Sequence, residues 1–258
     1  MLAKFCADHF GFEEEKKEDT FAFSTKGSPW GFVSSQMNPR TGKALFNMAK
    51  GTTTLGFVFQ EGIIIAVDSR ASMGSFVSSE SVKKVIPVND RIIGTMAGGA
   101  ADCLYWENYL GYEIKLYELN SGEKMSVAAA SKLFSSILYE YRGQGLSIGS
   151  MIAGSDDSGT HLYYCDNEGN RIKGDRFAVG SGGTYAYGVL DTYYKFNLSL
   201  QEAVALGKRA ISEATFADSG SGGVVNVFHV FPGGWKQLVH GDDNNELVWE
   251  HRKAHFAV

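Results

Sequence analysis

Two consecutive strand-like runs constrain the fold of this 258-residue chain more than any other feature. Residues 53–60 and 62–68 favour β-structure, and the short Glu61-Gly62 turn between them predicts a β-hairpin. The second run contains Ile63-Ile64-Ile65-Ala66-Val67 and is apolar on both faces. Such a strand has to be covered on both sides, so the chain is expected to fold in layers.

The order of the remaining elements predicts how many layers there are. Two helical patterns, marked by Cys103, Leu110 and Phe134 among others at spacings of three and four, follow the hairpin. Further strands, two more helices and two closing strands come next. Helices that occur in pairs between antiparallel strands predict an α+β fold, a four-layer αββα sandwich of two stacked antiparallel sheets.

Composition excludes several classes of protein. The net charge of -5 argues against a nucleic-acid binder, and no apolar run approaches the ~20 residues needed to cross a bilayer. Charged residues interrupt the amino terminus, so no secretory signal is predicted. Three widely spaced cysteines indicate free thiols in a reducing compartment, and we expect the protein in the cytoplasm and nucleus. Phosphate-loop, zinc-protease and serine-esterase motifs are absent from the sequence.

Residues 1–50 keep no strand or helix period for long, and Gly51 then precedes three threonines. One interpretation is a turn glycine before residues that favour strands. The other is that the Gly51–Thr52 bond is cleaved, which leaves Thr52 as a new amino terminus.

The predicted hairpin brings a carboxylate close to Thr52. A turn at Glu61-Gly62 places Asp68 opposite Leu55, which is within about two residues, roughly 7 Å, of Thr52. A carboxylate at the end of a buried strand needs a cation nearby.

Lys84 is the candidate cation. A strand over residues 82–86 would point Lys83 and Lys84 to opposite faces, so that one of them turns inward. A lysine beside Asp68 and the Thr52 hydroxyl would activate that hydroxyl as a nucleophile. A freed α-amine, with an ordinary pKa of about 7.7–8.0, would then serve as the base. The alternative for Asp68 and Lys84 is a structural salt bridge.

Gly98 and Gly99 stand at a strand-to-helix junction, where unpaired backbone N–H groups can stabilise an oxyanion. The Gly98 N–H is therefore a candidate donor. The alternative is an ordinary tight turn before a helix.

Taken together, these motifs resemble the catalytic β subunits of the 20S proteasome, in the N-terminal-nucleophile hydrolase family. The resemblance runs from Thr52 to about Glu250. The segments that carry it occur in the family's order, and they are Gly-Thr-Thr-Thr-Leu-Gly-Phe (51–57), Ala-Val-Asp-Ser-Arg-Ala (66–71), Thr-Met-Ala-Gly-Gly-Ala-Ala-Asp-Cys (95–103), Gly-Asp-Arg-Phe-Ala-Val-Gly-Ser-Gly (174–182) and Asp-x-x-Ser-Gly-Gly (218–223).

The resemblance implies a role for particular residues. Thr52 would be the nucleophile, Asp68 and Lys84 its activating pair, and Gly98 the oxyanion donor. The group around the freed amine would consist of Ser181, Asp218 and Ser221. Cleavage between Gly51 and Thr52 would separate a removable propeptide, 1–51, from a catalytic domain, 52–258.

The resemblance also implies specificity and partners. Within the family, the chain resembles the chymotrypsin-like subunits, which cut after bulky apolar residues. The positions that match their substrate pocket are all uncharged, namely Ala71, Val82, Met96, Ala100 and Cys103. The partners would be other β subunits in a seven-membered ring, a facing β ring and flanking α rings. No metal or organic cofactor is expected.

Two positions depart from the family pattern, since Gly183 replaces an expected serine and Gly56 a common alanine. Two rival functions remain open: a structural ring subunit without turnover, and a small-molecule amidohydrolase of the same fold.

Overall fold

A computed structural model describes residues 51–73 and 76–243. It contains two five-stranded antiparallel sheets and a two-stranded hairpin. The strands are β1 (Thr54–Phe59), β2 (Gly62–Val67), β3 (Ala71–Met73), β4 (Phe76–Ser79), β5 (Val85–Pro87), β6 (Ile92–Thr95), β7 (Gly149–Asp156), β8 (Gly159–Asp166), β9 (Arg171–Lys173), β10 (Arg176–Val179), β11 (Val225–Phe231) and β12 (Gly234–Asp242).

Four helices complete the described part of the chain: α1 (Ala100–Ser121), α2 (Val127–Glu140), α3 (Gly183–Tyr193) and α4 (Leu200–Ala217). The first sheet has the order β10-β1-β2-β11-β12 and is covered by α3 and α4. The second has the order β5-β6-β7-β8-β9, and α2 packs on its β7 and β8 while α1 contacts β5 and α2. The predicted four-layer αββα sandwich is therefore confirmed.

Three apolar clusters fill the spaces between the layers. One lies between the two sheets and contains Ile63 and Ile65 of β2, and another lies under α3 and α4 and contains Ile64 and Ala66. Both faces of β2 are thus buried, as its unbroken apolar run predicts. The third cluster joins α1 and α2 to the second sheet. No helix among the described residues is long and apolar enough to span a membrane.

The predicted register of the first hairpin is wrong by two residues. Phe59 pairs with Gly62, so the turn consists of Gln60 and Glu61 rather than Glu61 and Gly62. The glycine belongs to the strand because a Cβ at Gly62 would lie 2.1 Å from the Val230 carbonyl oxygen of β11. Close approach of a neighbouring strand and a positive φ of 135° therefore both explain this glycine.

The predicted strand over residues 82–86 is also wrong, since β5 begins at Val85 and the residues before it are irregular. The inference that one lysine turns inward holds nevertheless. Lys84 is buried, whereas Lys83 is exposed.

Candidate active site

Thr52 lies two residues before β1 and is largely buried, with 8% of its surface exposed. Its hydroxyl donates a hydrogen bond to the Gly51 carbonyl oxygen at 2.6 Å and accepts one from Lys84 Nζ at 3.1 Å. The nucleophile candidate therefore already touches both the carbonyl group of the preceding residue and a basic nitrogen.

Lys84 and Asp68 form a buried ion pair. Lys84 Nζ lies 2.5 Å from Asp68 Oδ1, and the two side chains are only 2% and 0% exposed. Burial lowers the pKa of Lys84, and the neighbouring Asp68 carboxylate opposes that shift without cancelling it. The lysine is thereby closer than an ordinary lysine to exchanging its proton near neutral pH.

Backbone N–H groups hold the Asp68 carboxylate in place. The Thr53 N–H donates to Oδ1 at 3.0 Å, while the N–H groups of Gly222 and Arg70 donate to Oδ2 at 3.0 and 3.3 Å. Because of the shifted register, Asp68 lies beside Thr53 instead of Leu55, with its own N–H bonded to the Thr53 carbonyl oxygen. The carboxylate is consequently closer to Thr52 than the sequence predicts.

A second set of hydrogen bonds surrounds the Thr52 nitrogen. The Thr52 N–H donates to Ser181 Oγ at 3.1 Å, and Ser181 Oγ donates to Asp218 Oδ2 at 2.5 Å. Ser221 Oγ donates to the same carboxylate oxygen at 2.7 Å, so the Thr53 hydroxyl, 2.6 Å away, is the donor to Ser221. The three residues named for this role by resemblance alone thus meet at one place, beside the nitrogen.

Asp218 is held as a carboxylate by this network. Burial pushes the pKa of Asp218 upward, but hydrogen bonds from Ser181, Ser221 and the Gly220 N–H outweigh it and leave the pKa below its usual value. A charged acceptor next to the Thr52 nitrogen can therefore orient an amine after cleavage.

Gly98 has the geometry expected of a backbone donor. Its φ is 103°, and a Cβ there would lie 2.4 Å from the Ser147 carbonyl oxygen, so only glycine fits. The flanking backbone groups are bonded, since the Gly99 N–H donates to Ser147 and Ala97 accepts from Gly149. Among the described residues the Gly98 N–H has no acceptor, which leaves it available to an oxyanion.

The predicted substrate pocket is partly assembled. Met96 and Cys103 are buried in the cluster under α1, and Val82 packs against that cluster. Ala100 is exposed on the first turn of α1, and Ala71 begins β3. Uncharged side chains therefore occupy all five positions, and their role in specificity stays a prediction.

A separate cavity of about 530 Å³ lies beside the backbone of Lys84. It is lined by Val82 and by residues of β2, β11 and β12, but not by Met96, Ala100 or Cys103. This cavity is therefore not the predicted substrate pocket.

Arg70 also supports the site, a role that no pattern in the sequence predicts. Its guanidinium donates to the carbonyl oxygens of Ser219 and Ser221, at 3.3 and 3.1 Å, and fixes the loop that carries Asp218. A Cβ at Gly222 would lie 2.2 Å from the guanidinium carbon, so that glycine makes room for the arginine. Arg70 and Gly222 both lie in segments that carry the family resemblance, 66–71 and 218–223. An arginine two residues after Asp68 and a glycine pair after Ser221 were the only signals that the sequence offered for this contact.

The two departures from the family pattern lie away from these hydrogen bonds. A Cβ at Gly183, the first residue of α3, would meet the Ala178 carbonyl oxygen at 3.0 Å. A Cβ at Gly56 would meet Ile65 Cδ1 at 2.6 Å, so the isoleucine side chain fills that space. Neither glycine touches Thr52, Lys84 or the Ser181 hydroxyl.

A buried threonine just before a strand, a buried Lys–Asp pair beside it and a four-layer αββα sandwich are the features of the N-terminal-nucleophile hydrolases. The chain matches the family described as "Proteasome subunit" over residues 48–230. It therefore belongs to the proteasome subunit family.

Individual relatives support this assignment. The chain is 58% identical to "Proteasome subunit beta type-5-B" of Arabidopsis thaliana over 203 residues, which cover 79% of this chain and 74% of the relative. It is 53% identical to "Probable proteasome subunit beta type-5" of Schizosaccharomyces pombe over 207 residues, 80% of this chain and 75% of the relative. It is also 55% identical to "Proteasome subunit beta type-8" of Homo sapiens over 207 residues, with the same two coverages.

Proposed function

We propose that this chain is a threonine endopeptidase subunit of the 20S proteasome with chymotrypsin-like specificity, made as a precursor and activated by cleavage between Gly51 and Thr52. The observation that carries the proposal is the contact of the Thr52 hydroxyl with Lys84 Nζ on one side and the Gly51 carbonyl oxygen on the other. Relatives named beta type-5 at 53–58% identity support it.

Self-cleavage begins at the contact between Thr52 and Gly51. Thr52 Oγ1 attacks the Gly51 carbonyl carbon, while the Lys84 ammonium, which donates to that oxygen, stabilises the negative charge that develops there as the hydroxyl proton leaves. The proton passes to the Thr52 nitrogen as the C–N bond breaks, which leaves a Gly51 ester on Thr52 Oγ1. Water hydrolyses that ester and produces a carboxylic acid at Gly51, a free hydroxyl and a free amine at Thr52.

Peptide cleavage then uses the same nucleophile, with the freed Thr52 amine as its base. The freed Thr52 amine, oriented by Ser181 and Asp218, accepts the Oγ1 proton as Oγ1 attacks the substrate carbonyl carbon. The Gly98 N–H donates to the developing oxyanion, and the amine passes its proton to the leaving nitrogen. Hydrolysis of the acyl ester restores the enzyme. In the uncut chain the Thr52 nitrogen is an amide and cannot act as this base.

The amino-terminal residues follow from the same mechanism. Residues 1–51 are a removable propeptide, and residues 52–258 are the catalytic domain. The leader keeps the chain inactive until it is cut. Residues 1–50 lie outside the described residues, so the boundary rests on the chemistry of the Gly51–Thr52 bond.

As a proteasome subunit the chain works within the multi-subunit core particle. Its proposed neighbours are other β subunits in a seven-membered ring, a facing β ring and flanking α rings. It acts in the cytoplasm and nucleus on unfolded, ubiquitin-targeted proteins, and its chemistry requires no metal or organic cofactor.

Substitution of the nucleophile tests the proposal. Thr52→Val keeps the volume of the side chain and removes the hydroxyl, whereas Thr54→Val removes a hydroxyl whose one bond within the described part of the chain is to the Val179 carbonyl oxygen, at 3.4 Å. In assembled particles, Thr52→Val should abolish cleavage of the Gly51–Thr52 bond and also hydrolysis of peptide substrates with an apolar residue before the cut. Thr54→Val should retain both. Hydrolysis by the Thr52→Val subunit would refute the mechanism.

Two further measurements separate the rival functions. A full-length, uncut chain in an assembled wild-type particle would support the structural subunit. Hydrolysis of small amides in preference to peptides would support the amidohydrolase. For the proposed enzyme, kcat/KM should be highest for peptides with Tyr, Phe or Leu before the cut and much lower with Arg or Glu, which an uncharged pocket leaves unpaired.

A further inference from the structure

The hydroxyl group of Ser72 contacts the residue that is to be cut off. The Gly51 N–H donates to Ser72 Oγ at 2.7 Å. Ser72 lies in β3, two residues beyond Arg70, whose N–H bonds the catalytic carboxylate of Asp68. The segment from Arg70 to Ser72 therefore contacts both the Asp68 carboxylate and Gly51, the residue before the scissile bond.

The N–H, the carbonyl oxygen and the Cα of Gly51 each have one contact among the described residues. Its N–H bonds Ser72, its carbonyl oxygen accepts from the Thr52 hydroxyl at 2.6 Å, and its Cα abuts the backbone of Gly220. Glycine is otherwise the residue with the greatest backbone freedom. Among the described residues, the Ser72 hydroxyl is the only side chain that bonds the Gly51 N–H.

We propose that Ser72 is a positioning residue for self-cleavage, which holds the Gly51 carbonyl group in the orientation that Thr52 Oγ1 attacks. This inference rests on the proposed function. Ser72 is given no role in proton transfer, because among the described residues its hydroxyl bonds the Gly51 N–H and neither Thr52 nor Lys84. Its effect is to fix one rotation of the peptide that precedes the scissile bond.

The expected size of the effect follows from the value of one hydrogen bond. A hydrogen bond of this kind contributes about 0.5–1.5 kcal/mol, which corresponds to roughly a two- to tenfold change in rate. Ser72→Ala should therefore slow maturation by about that factor. Ser72→Thr keeps the hydroxyl and should restore the wild-type rate.

Ser78 provides a matched control in the same hairpin. Ser78 lies in β4, and its hydroxyl donates to the carbonyl oxygen of Ala71 in β3 at 3.0 Å. It makes no hydrogen bond to Gly51 among the described residues. Ser78→Ala removes an equivalent side-chain bond to the backbone. It therefore reports any loss of rate that comes only from loosening β3 and β4.

The experiment uses the full-length chain, expressed with its partner subunits and isolated in assembled particles. Intact mass measured over time gives the fraction of chain that begins at Thr52. Slow maturation of Ser72→Ala, with Ser72→Thr and Ser78→Ala near wild type, supports the role of Ser72. A wild-type rate for Ser72→Ala, or an equal delay for Ser78→Ala, overturns it. Cleavage of a Thr52→Ala chain at the same bond would overturn the proposed function as well, and so distinguishes the two failures.

Discussion

Alanine at position 51 should slow maturation for lack of space. A Cβ at Gly51 would lie 2.2 Å from both the Cα and the carbonyl oxygen of Gly220. Ordinary carbon contacts are about 3.5–4.0 Å, so the two backbones would have to separate by more than 1 Å. The requirement for glycine at position 51 is therefore steric.

The loop that would have to move is fixed by the site itself. Gly220 lies between Asp218 and Ser221, both of which bond the network around the Thr52 nitrogen, and Arg70 bonds the same loop. Overpacking of this kind costs about 1–3 kcal/mol. If the strain displaces the Gly51 carbonyl group from Thr52, self-cleavage should slow by roughly five- to hundredfold.

Intact mass of the chain in assembled particles measures this effect. Gly188→Ala is the matched control, because Gly188 is exposed within α3 and a Cβ there meets nothing within 4 Å. Subunits of Gly51→Ala that do mature have the wild-type sequence from Thr52 onward, and their peptidase activity per mature subunit should be normal. Maturation of Gly51→Ala at the wild-type rate would refute the steric argument.

Three other substitutions test separate parts of the structure. Asp68→Asn leaves the buried Lys84 without its anion and should lower peptidase activity at least about a hundredfold. Asp191→Asn is the control, because it breaks only the exposed ion pair with Arg176 and should leave peptidase activity unchanged. Burial raises the pKa of Glu107 well above its usual value, so the folded chain keeps a proton that the unfolded chain releases above about pH 4.5. The free energy of unfolding should then fall as pH rises, by up to about 1.4 kcal/mol per pH unit. In denaturant titrations, the free energy of unfolding of Glu107→Gln should depend less steeply on pH than that of the wild type. Equal pH dependence of the two proteins would contradict this. Ser199→Ala removes the capping box of α4 and should cost about 1 kcal/mol in the same titration, and no loss would mean that the cap is redundant.

Local patterns in the sequence determined most of the elements. Helices α2 and α4 show their apolar faces at spacings of three and four, and strand β2 is buried at every position and carries no polar side chain. These signals depend only on residues that are close in the chain. The hydrophobic period is therefore sufficient to predict the αββα order without knowledge of any long-range contact.

Register and strand limits required the neighbouring elements. The hairpin turn was misplaced because Gly62 has the composition of a turn residue, whereas its actual role is to let β11 approach β2. Strand β5 is shorter than the sequence predicts. Both errors concern backbone contacts with distant residues, which leave no local pattern.

The sequence by itself selected Thr52, Asp68 and Lys84, because a hairpin and a buried charge relate these three residues through local rules. Only the tertiary structure decided that Ser181 and Ser221 share the Asp218 carboxylate beside the Thr52 nitrogen, and that Gly220 closes on Gly51. Ser181 and Asp218 are 37 positions apart, Gly51 and Gly220 are more than a hundred apart, and Asp218 and Ser221 lie within an irregular loop. Such convergence depends on how the two sheets and their loops pack together, and no spacing of residues along the chain encodes it.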